Sequence, residues 1–284
     1  MSNRNSKANK AAARERLREE RARQAKREKI RRQLVVGGSI VAVLGIAAGI
    51  GIAVSNMGGG SGKVSNDDWV AAAKKESFAK PANTSGDKGT VVVIGDKKAK
   101  NTVEVYEDMR CPVCASFEQA SGDKVTKDVK DGKYKLQFTL GAFLDENPQI
   151  KGSGSKNALS ALGAALNVGP DAFLEYKKAL FAPGNHPEET EDKFADDAYL
   201  LKIAKKVDAL KGNAAFEKAV KGGTYDRWAL AMKDRFNDAK DVTGTPSFKV
   251  NGVKMTVEGA QEGTPIVTPE QFDAAYEKAL QQKG

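Results

Sequence analysis

The chain has 284 residues, 40% hydrophobic and 29% charged, a composition that excludes a short disulfide scaffold and a wholly disordered protein and leaves room for one or two packed domains. Residues 1–33 hold 13 of the 46 Lys and Arg and 4 of the 37 Asp and Glu, which accounts for the whole net charge of +9. The remainder is balanced at 33 of each sign, so a domain that reads nucleic acid through global charge is disfavoured, and the basic arm reads more simply as a topology signal.

Taken in chain order, the basic leader 1–33 is followed by an uncharged run, residues 34–54, of roughly the length needed to span a bilayer core as a helix. Lys26, Arg27, Lys29, Arg31 and Arg32 precede it, which predicts a cytoplasmic N-terminus, a single transmembrane helix and everything beyond about residue 56 outside the membrane. The long leader and long apolar run argue against the alternative of a cleaved signal peptide. The leader itself offers Glu19–Arg23 and Glu28–Arg32 as i,i+4 pairs and suits a solvated helix against anionic lipid. Residues 55–89 read as an extracytoplasmic tether with a short helix over 67–79 and Trp69 near the membrane interface.

Strand patterns follow at 90–94, 102–106 and 134–140, the last two joined by a helical stretch with a disturbance near Gly122, an order that suits a βαβ unit with parallel strands. Residues 150–236 read as a helical subdomain, with segments near 156–166, 171–181, 191–210, 213–221 and 225–236. Its aromatic residues Phe173, Tyr176, Phe181, Phe194 and Tyr199 read as core. Asn251-Gly252 predicts a hairpin between strands at 247–250 and 253–257, and Thr268-Pro269-Glu270-Gln271 opens a closing helix that runs through residue 280. Residues 90–149 and 237–284 thus form two parts of one α/β domain into which 150–236 is inserted.

The chemistry concentrates where a strand hands over to a helix. Cys111 and Cys114 are the only cysteines, too few to complete a four-ligand zinc site and enough for one disulfide. At a helix start, unpaired N–H groups and the dipole favour the Cys111 thiolate, and Cys114 lies one turn further in, able to resolve a mixed disulfide. Pro112 is tolerated in a first turn, and Val113 brings no charge to the thiolate. A structural disulfide, or half of a metal site shared between subunits, stands as the bland alternative. His186, the only histidine, reads as an exposed loop residue, and no GxSxG elbow supports hydrolysis.

The strand 102–106, the run Asp108-Met109-Arg110-Cys111-Pro112-Val113-Cys114, the helical insertion and the late run Val242-Thr243-Gly244-Thr245-Pro246-Ser247-Phe248 together resemble the DsbA-like branch of the thioredoxin superfamily, in particular its membrane-anchored Gram-positive, actinobacterial thiol–disulfide oxidoreductases. The resemblance covers roughly residues 90–282 and implies a thioredoxin-like fold with an inserted helical subdomain. It also implies a cis Pro246 facing the cysteines and a Thr245 whose backbone pairs with an extended client peptide. The buried acid that many members carry six residues before the first cysteine is here Val105, so proton transfer falls to water or to a displaced acid such as Glu107. The Pro-Val dipeptide differs from the Pro-His of strongly oxidising Gram-negative enzymes and leaves the direction of net electron flow open. Oxidation of exported cysteine-containing proteins is the first expectation. Reduction, isomerisation or a non-enzymatic peptide-binding role with a structural disulfide are the alternatives. No cofactor or metal is required by this chemistry. A membrane or extracytoplasmic redox partner is required for turnover, and no nucleic acid is expected as a partner.

Overall fold

A computed structural model of the chain describes residues 63–76 and 78–282. The basic leader and the apolar run at 34–54 lie outside the described residues, and among those described no helix is long and apolar enough to cross a membrane. The first helix, α1 (Asn66–Lys74), starts at a capping box in which Ser65 Oγ accepts the Asp68 N–H and the Asp68 carboxylate accepts the Ser65 N–H. Trp69, expected at a membrane interface, is instead only 4% exposed. It shares with Ala72 the single buried stripe of α1, and Lys156 lies 5.7 Å from its ring centre while donating to Asn66 Oδ1.

Five strands form one sheet: β1 (Val92–Ile94), β2 (Thr102–Asp108), β3 (Lys135–Gly141), β4 (Ser247–Val250) and β5 (Val253–Lys254), in the order β1-β3-β2-β4-β5. β2 and β3 run parallel, as the βαβ reading requires, and the other pairings are antiparallel. Val105 pairs with Phe138 on one side and Phe248 on the other. The inward–outward alternation of β2 and β3 gives way at their C-terminal ends to residues buried on both faces.

The helix that joins β2 to β3, α2 (Pro112–Lys130), runs without a break through Gly122. A Cβ on Gly122 would come within 3.0 Å only of the end of the Glu118 side chain. The hairpin turn forms as read, with Asn251 and Gly252 both at positive φ (53° and 86°). β5 is shorter than expected: its ladder ends with a bond from Met255 N–H to Phe248 O, and the chain leaves the sheet before turning at Gly259 (φ 67°).

Between β3 and β4 lie α3 (Gly154–Val168), α4 (Pro170–Phe181), α5 (Asp197–Ala204), α6 (Ala214–Lys221) and α7 (Asp226–Asp238), with short 3-10 turns at Leu144–Glu146 and Lys193–Ala195. The continuous helix expected over 191–210 is divided, since Asp196 turns its side chain onto the Ala198 N–H and so starts α5 afresh. α3 is buried from Gly154 through Leu166 and forms the axis of the insertion. α7 closes over the ends of β2 and β3, where Phe236 meets the Tyr106 ring edge-on at 6.3 Å and where a Cβ on Gly141 would strike the Phe236 ring at 2.9 Å. The final helix, α8 (Pro269–Gln281), starts at the Thr268–Gln271 capping box and packs Phe272 against Phe117 and Phe248.

Candidate active site

β2 ends in two acidic residues, Glu107 and Asp108, both fully buried, and the turn Met109-Arg110 then delivers Cys111 to the N-cap of α2. Cys111 keeps an extended backbone (φ −72°, ψ 118°), and its Sγ accepts the Cys114 N–H at 3.5 Å. Across the site the Thr245–Pro246 peptide is cis, and the Cys111 thiol donates to Thr245 O at 3.5 Å. Pro112 occupies the first helical position and is exposed, and Val113 is half-buried. Cys111 is 6% exposed and Cys114 not at all, and both are free thiols in this structure. The hydroxyl of Thr245 is buried with no hydrogen-bond partner among the described residues.

The two thiols are electrically unlike. Hydrogen bonding with Cys114, reinforced by Thr245, pushes the Cys111 thiol down against the opposing effect of burial. Burial pushes Cys114 well up, with Cys111 and the charge of Glu107 acting in the same direction. A pair so arranged leaves one slightly exposed sulfur as the nucleophile and keeps the other protonated inside.

Glu107, singled out from the sequence as a displaced acid, is the buried carboxylate behind this pair. Its Oε2 lies 2.8 Å from Lys177 Nζ, and the same ammonium lies 2.7 Å from Glu118 Oε1. Lys177 comes from α4, is 3% exposed and lies 5.3 Å from the ring centres of both Phe138 and Phe181. Burial pushes Glu107 up to about 8 despite Lys177, because two carboxylates share one ammonium in an apolar setting. Burial alone would lower Lys177, yet the two carboxylates outweigh it and hold the ammonium charged. A cavity of about 240 Å³ between α2 and α4 is lined in part by Glu118, Gly122, Leu174 and Lys177.

Three further groups hold the turn before Cys111. Asp108 accepts the Arg110 N–H, the Ser155 hydroxyl and the Leu144 N–H, and burial pushes its carboxyl up to about 7. Arg110, 1% exposed, pairs with Asp145 at 3.0 Å and Asp192 at 3.4 Å. His186 is not the exposed loop residue read from the sequence. Its Nε2 lies 3.1 Å from Met109 O, its ring stacks on Phe181 and meets Phe194 edge-on, and burial pushes it down to about 4. Among the described residues no three His, Cys, Asp or Glu side chains converge as a metal ligand set.

A family model described as thioredoxin matches residues 87–275, a span that includes the cysteine pair and the cis proline. The chain belongs to the thioredoxin family. Over 160 residues it is 27% identical to disulfide bond formation protein D of Bacillus subtilis, covering 56% of this chain and 67% of that protein. Over 118 residues, 42% of this chain, it is 25% identical to the serine/threonine-protein kinase PknE of Mycobacterium tuberculosis, and the match spans only 21% of the kinase's length. Among solved structures it is similar to the reduced disulfide bond oxidoreductase DsbG of Mycobacterium tuberculosis, with a TM-score of 0.53, 25% identity, and coverage of 68% of this chain and 88% of that one. The fold is therefore the α/β thioredoxin-like fold with a helical insertion.

Sequence reasoning assigned no role to Arg110, Glu118 or Lys177. Two of these carried a detectable signal: Lys177 falls on the helical face of Phe173 and Leu180, and Glu118 lies four residues after Cys114 on the inward side of α2.

Proposed function

We propose that this chain is a membrane-anchored protein thiol–disulfide oxidoreductase that transfers disulfides to cysteine pairs of exported proteins, with residues 34–54 as its anchor and the thioredoxin-like domain outside the membrane. The observation that carries the reading is the asymmetry of the pair: Cys111 at the α2 N-cap facing the cis Thr245–Pro246 peptide, with Cys114 sealed behind it. The names of the B. subtilis relative and of the DsbG neighbour support the same class of chemistry. The uncharged run with its basic flank supports the location, on the side of the membrane where disulfides persist.

In the oxidised enzyme a client thiolate attacks Cys111 Sγ. The client–Cys111 bond forms, the Cys111–Cys114 bond breaks, and Cys114 leaves with the electron pair. A bare thiolate is costly in that interior, and Glu107, kept protonated near neutrality by burial, is the group placed to supply the proton. The client's second thiolate then attacks the client sulfur bonded to Cys111. The client disulfide closes, and Cys111 departs as a thiolate favoured by the Cys114 N–H and the helix start. Two electrons have passed to the enzyme, and a redox partner must remove them before the next turnover. Pro112 and Val113 shape the approach to Cys111, and the backbone of Thr245 beside Pro246 receives the client peptide. Oxidation is favoured over reduction or isomerisation because the lowered proton affinity of Cys111 stabilises the reduced enzyme.

The test has two arms. Cys114→Ala incubated with an oxidised two-cysteine peptide should accumulate a Cys111–peptide mixed disulfide, visible on non-reducing gels and absent in Cys111→Ala. The wild-type pair equilibrated with glutathione should show a potential above roughly −200 mV, whereas a value near or below about −270 mV would rule out the oxidase role. Failure to form any mixed disulfide, with peptide binding intact, would leave a binding module stapled by its disulfide.

A further inference from the structure

Each of the three residues before Cys111 is bonded to the segment that runs from the end of β3 to the start of α5. Asp108 accepts from Leu144 N–H at 3.1 Å and Ser155 Oγ at 2.6 Å, and Met109 O meets His186 Nε2 at 3.1 Å. Arg110 makes the largest set: Nη1 to Asp145 and Asp192, Nη2 to Ile150 O at 3.1 Å and Glu189 O at 2.9 Å. The same two carboxylates also close the start of α3. Asp192 accepts the Ser153 and Gly154 N–H groups, and Asp145 accepts those of Ser155 and Lys156. The guanidinium therefore lies between two carboxylates fixed by one helix N-terminus. The walls of its cage leave no slack: a Cβ on Gly152 would stand 2.5 Å from Arg110 Nη1, and one on Gly154 2.5 Å from Asp192 Oδ1.

We propose that Arg110 is a positioning residue for the redox chemistry: by locking the 108–110 turn to the 144–192 segment it fixes the angle at which Cys111 enters α2, and with it the bonds to Sγ on which the reduced pair depends. This rests on reading Cys111 and Cys114 as a redox pair. The reduced form relies on the cap bond from Cys114 N–H and the contact with Thr245 O, both at 3.5 Å, where a small rotation of Cys111 breaks them. In the oxidised form the covalent bond to Cys114 itself holds Sγ in place. Loosening the turn therefore costs the reduced form more than the oxidised form, and the pair becomes a weaker oxidant. The guanidinium's planar fork is what reaches carboxylates and carbonyls together, and a lysine ammonium cannot span the same set.

The experiment compares the full chain as wild type and as Arg110→Lys in glutathione buffers, with alkylation of Cys111 at neutral pH as a second readout. Arg110→Lys should shift the equilibrium toward the oxidised protein by about fivefold or more and slow Cys111 alkylation, with the reduced form losing more thermal stability than the oxidised one. Lys124→Met, which removes the ion pairs of an α2 residue remote from Cys111, to Asp128 of α2 and Asp273 of α8, should leave the equilibrium within about twofold of wild type. If Arg110→Lys does not fold, Asp192→Asn, which keeps Asp145 but removes the charge of the partly exposed arm and weakens the cap on Ser153, should move the equilibrium in the same direction. An equilibrium within about twofold of wild type in the folded variant, with both redox forms destabilised equally, would overturn the proposal and leave Arg110 purely structural. A wild type that never equilibrates with glutathione would overturn the redox reading, and this inference with it.

Discussion

Near the cysteines, burial moves two carboxyls and one imidazole in opposite senses. Glu107 is raised from 4.5 to about 8 and Asp108 from 3.8 to about 7, so the folded protein keeps protons that the unfolded chain has released. The stability they contribute is complete below their unfolded values and is lost as pH rises through their folded values. His186, lowered from 6.5 to about 4, acts oppositely, with stability gained as pH rises to 6.5 and constant above it. Between pH 6.5 and 8.5 the two carboxyls still act while His186 no longer does, so the oxidised protein, in which neither thiol titrates, should lose stability through them as pH rises. Glu107→Gln should flatten that decline, measured as the urea midpoint across the window, and an unchanged slope would remove Glu107 as its source. At this scale the cysteine pair was legible as a short local run, whereas Thr245-Pro246 came only through the resemblance, since nothing local distinguishes a proline that will be cis. Glu107 was readable only as a candidate. Lys177 stood on the apolar face of Phe173 and Leu180 and was marked only by that, while Asp145 and Asp192 carried no mark, because their partners reach them from distant parts of the chain and no local pattern marks a carboxylate that will meet an arginine after folding. His186 misled for the same reason: its loop reads as polar, and only folding brings Phe181 and Phe194 around it.

Most elements followed from period and punctuation, and the departures have local causes. Asp196 caps a new helix inside what reads as one amphipathic run, because an N-cap residue among charged neighbours does not interrupt the apolar spacing of Phe194, Leu200, Ile203 and Val207. Gly122 reads as a weakness in α2, yet the helix runs through it, and a Cβ there would crowd only the end of the Glu118 side chain. The same logic applies more stringently in α3, which is enclosed along most of its length. A Cβ at Gly163 would stand 2.8 Å from the Trp228 ring of α7 and 3.0 Å from Tyr225 Cβ, and Trp228 is fixed by its Nε1–H donating to Gly89 O at 2.7 Å. Gly163→Ala gains helix propensity but overpacks this crossing, so a net loss of about 1–3 kcal/mol is expected, measured by denaturant unfolding. A stabilised variant would mean that α3 and α7 can separate without cost.

Across the whole described body, the insertion and the sheet are joined at several separate places. Phe138 of β3 meets Phe173 of α4 at 5.2 Å, Lys177 joins Glu107 to α4, Trp228 reaches back to Gly89, and Arg110 ties the redox turn to the start of α3. None of these contacts can survive if either part unfolds alone. Removing one partner of a buried pair such as Arg110–Asp145 also leaves an uncompensated charge, so separate unfolding is penalised beyond the lost contacts. The two parts should therefore unfold in one transition. Both tryptophans, Trp228 within the insertion and Trp69 packed beside it, are buried and report on it by fluorescence, whereas loss of Cys114 protection from alkylation reports on the sheet-to-helix junction. In the reduced protein the two signals should share one urea midpoint. An earlier fluorescence transition, with Cys114 still protected, would show that the insertion melts independently and that the redox turn keeps its geometry without it.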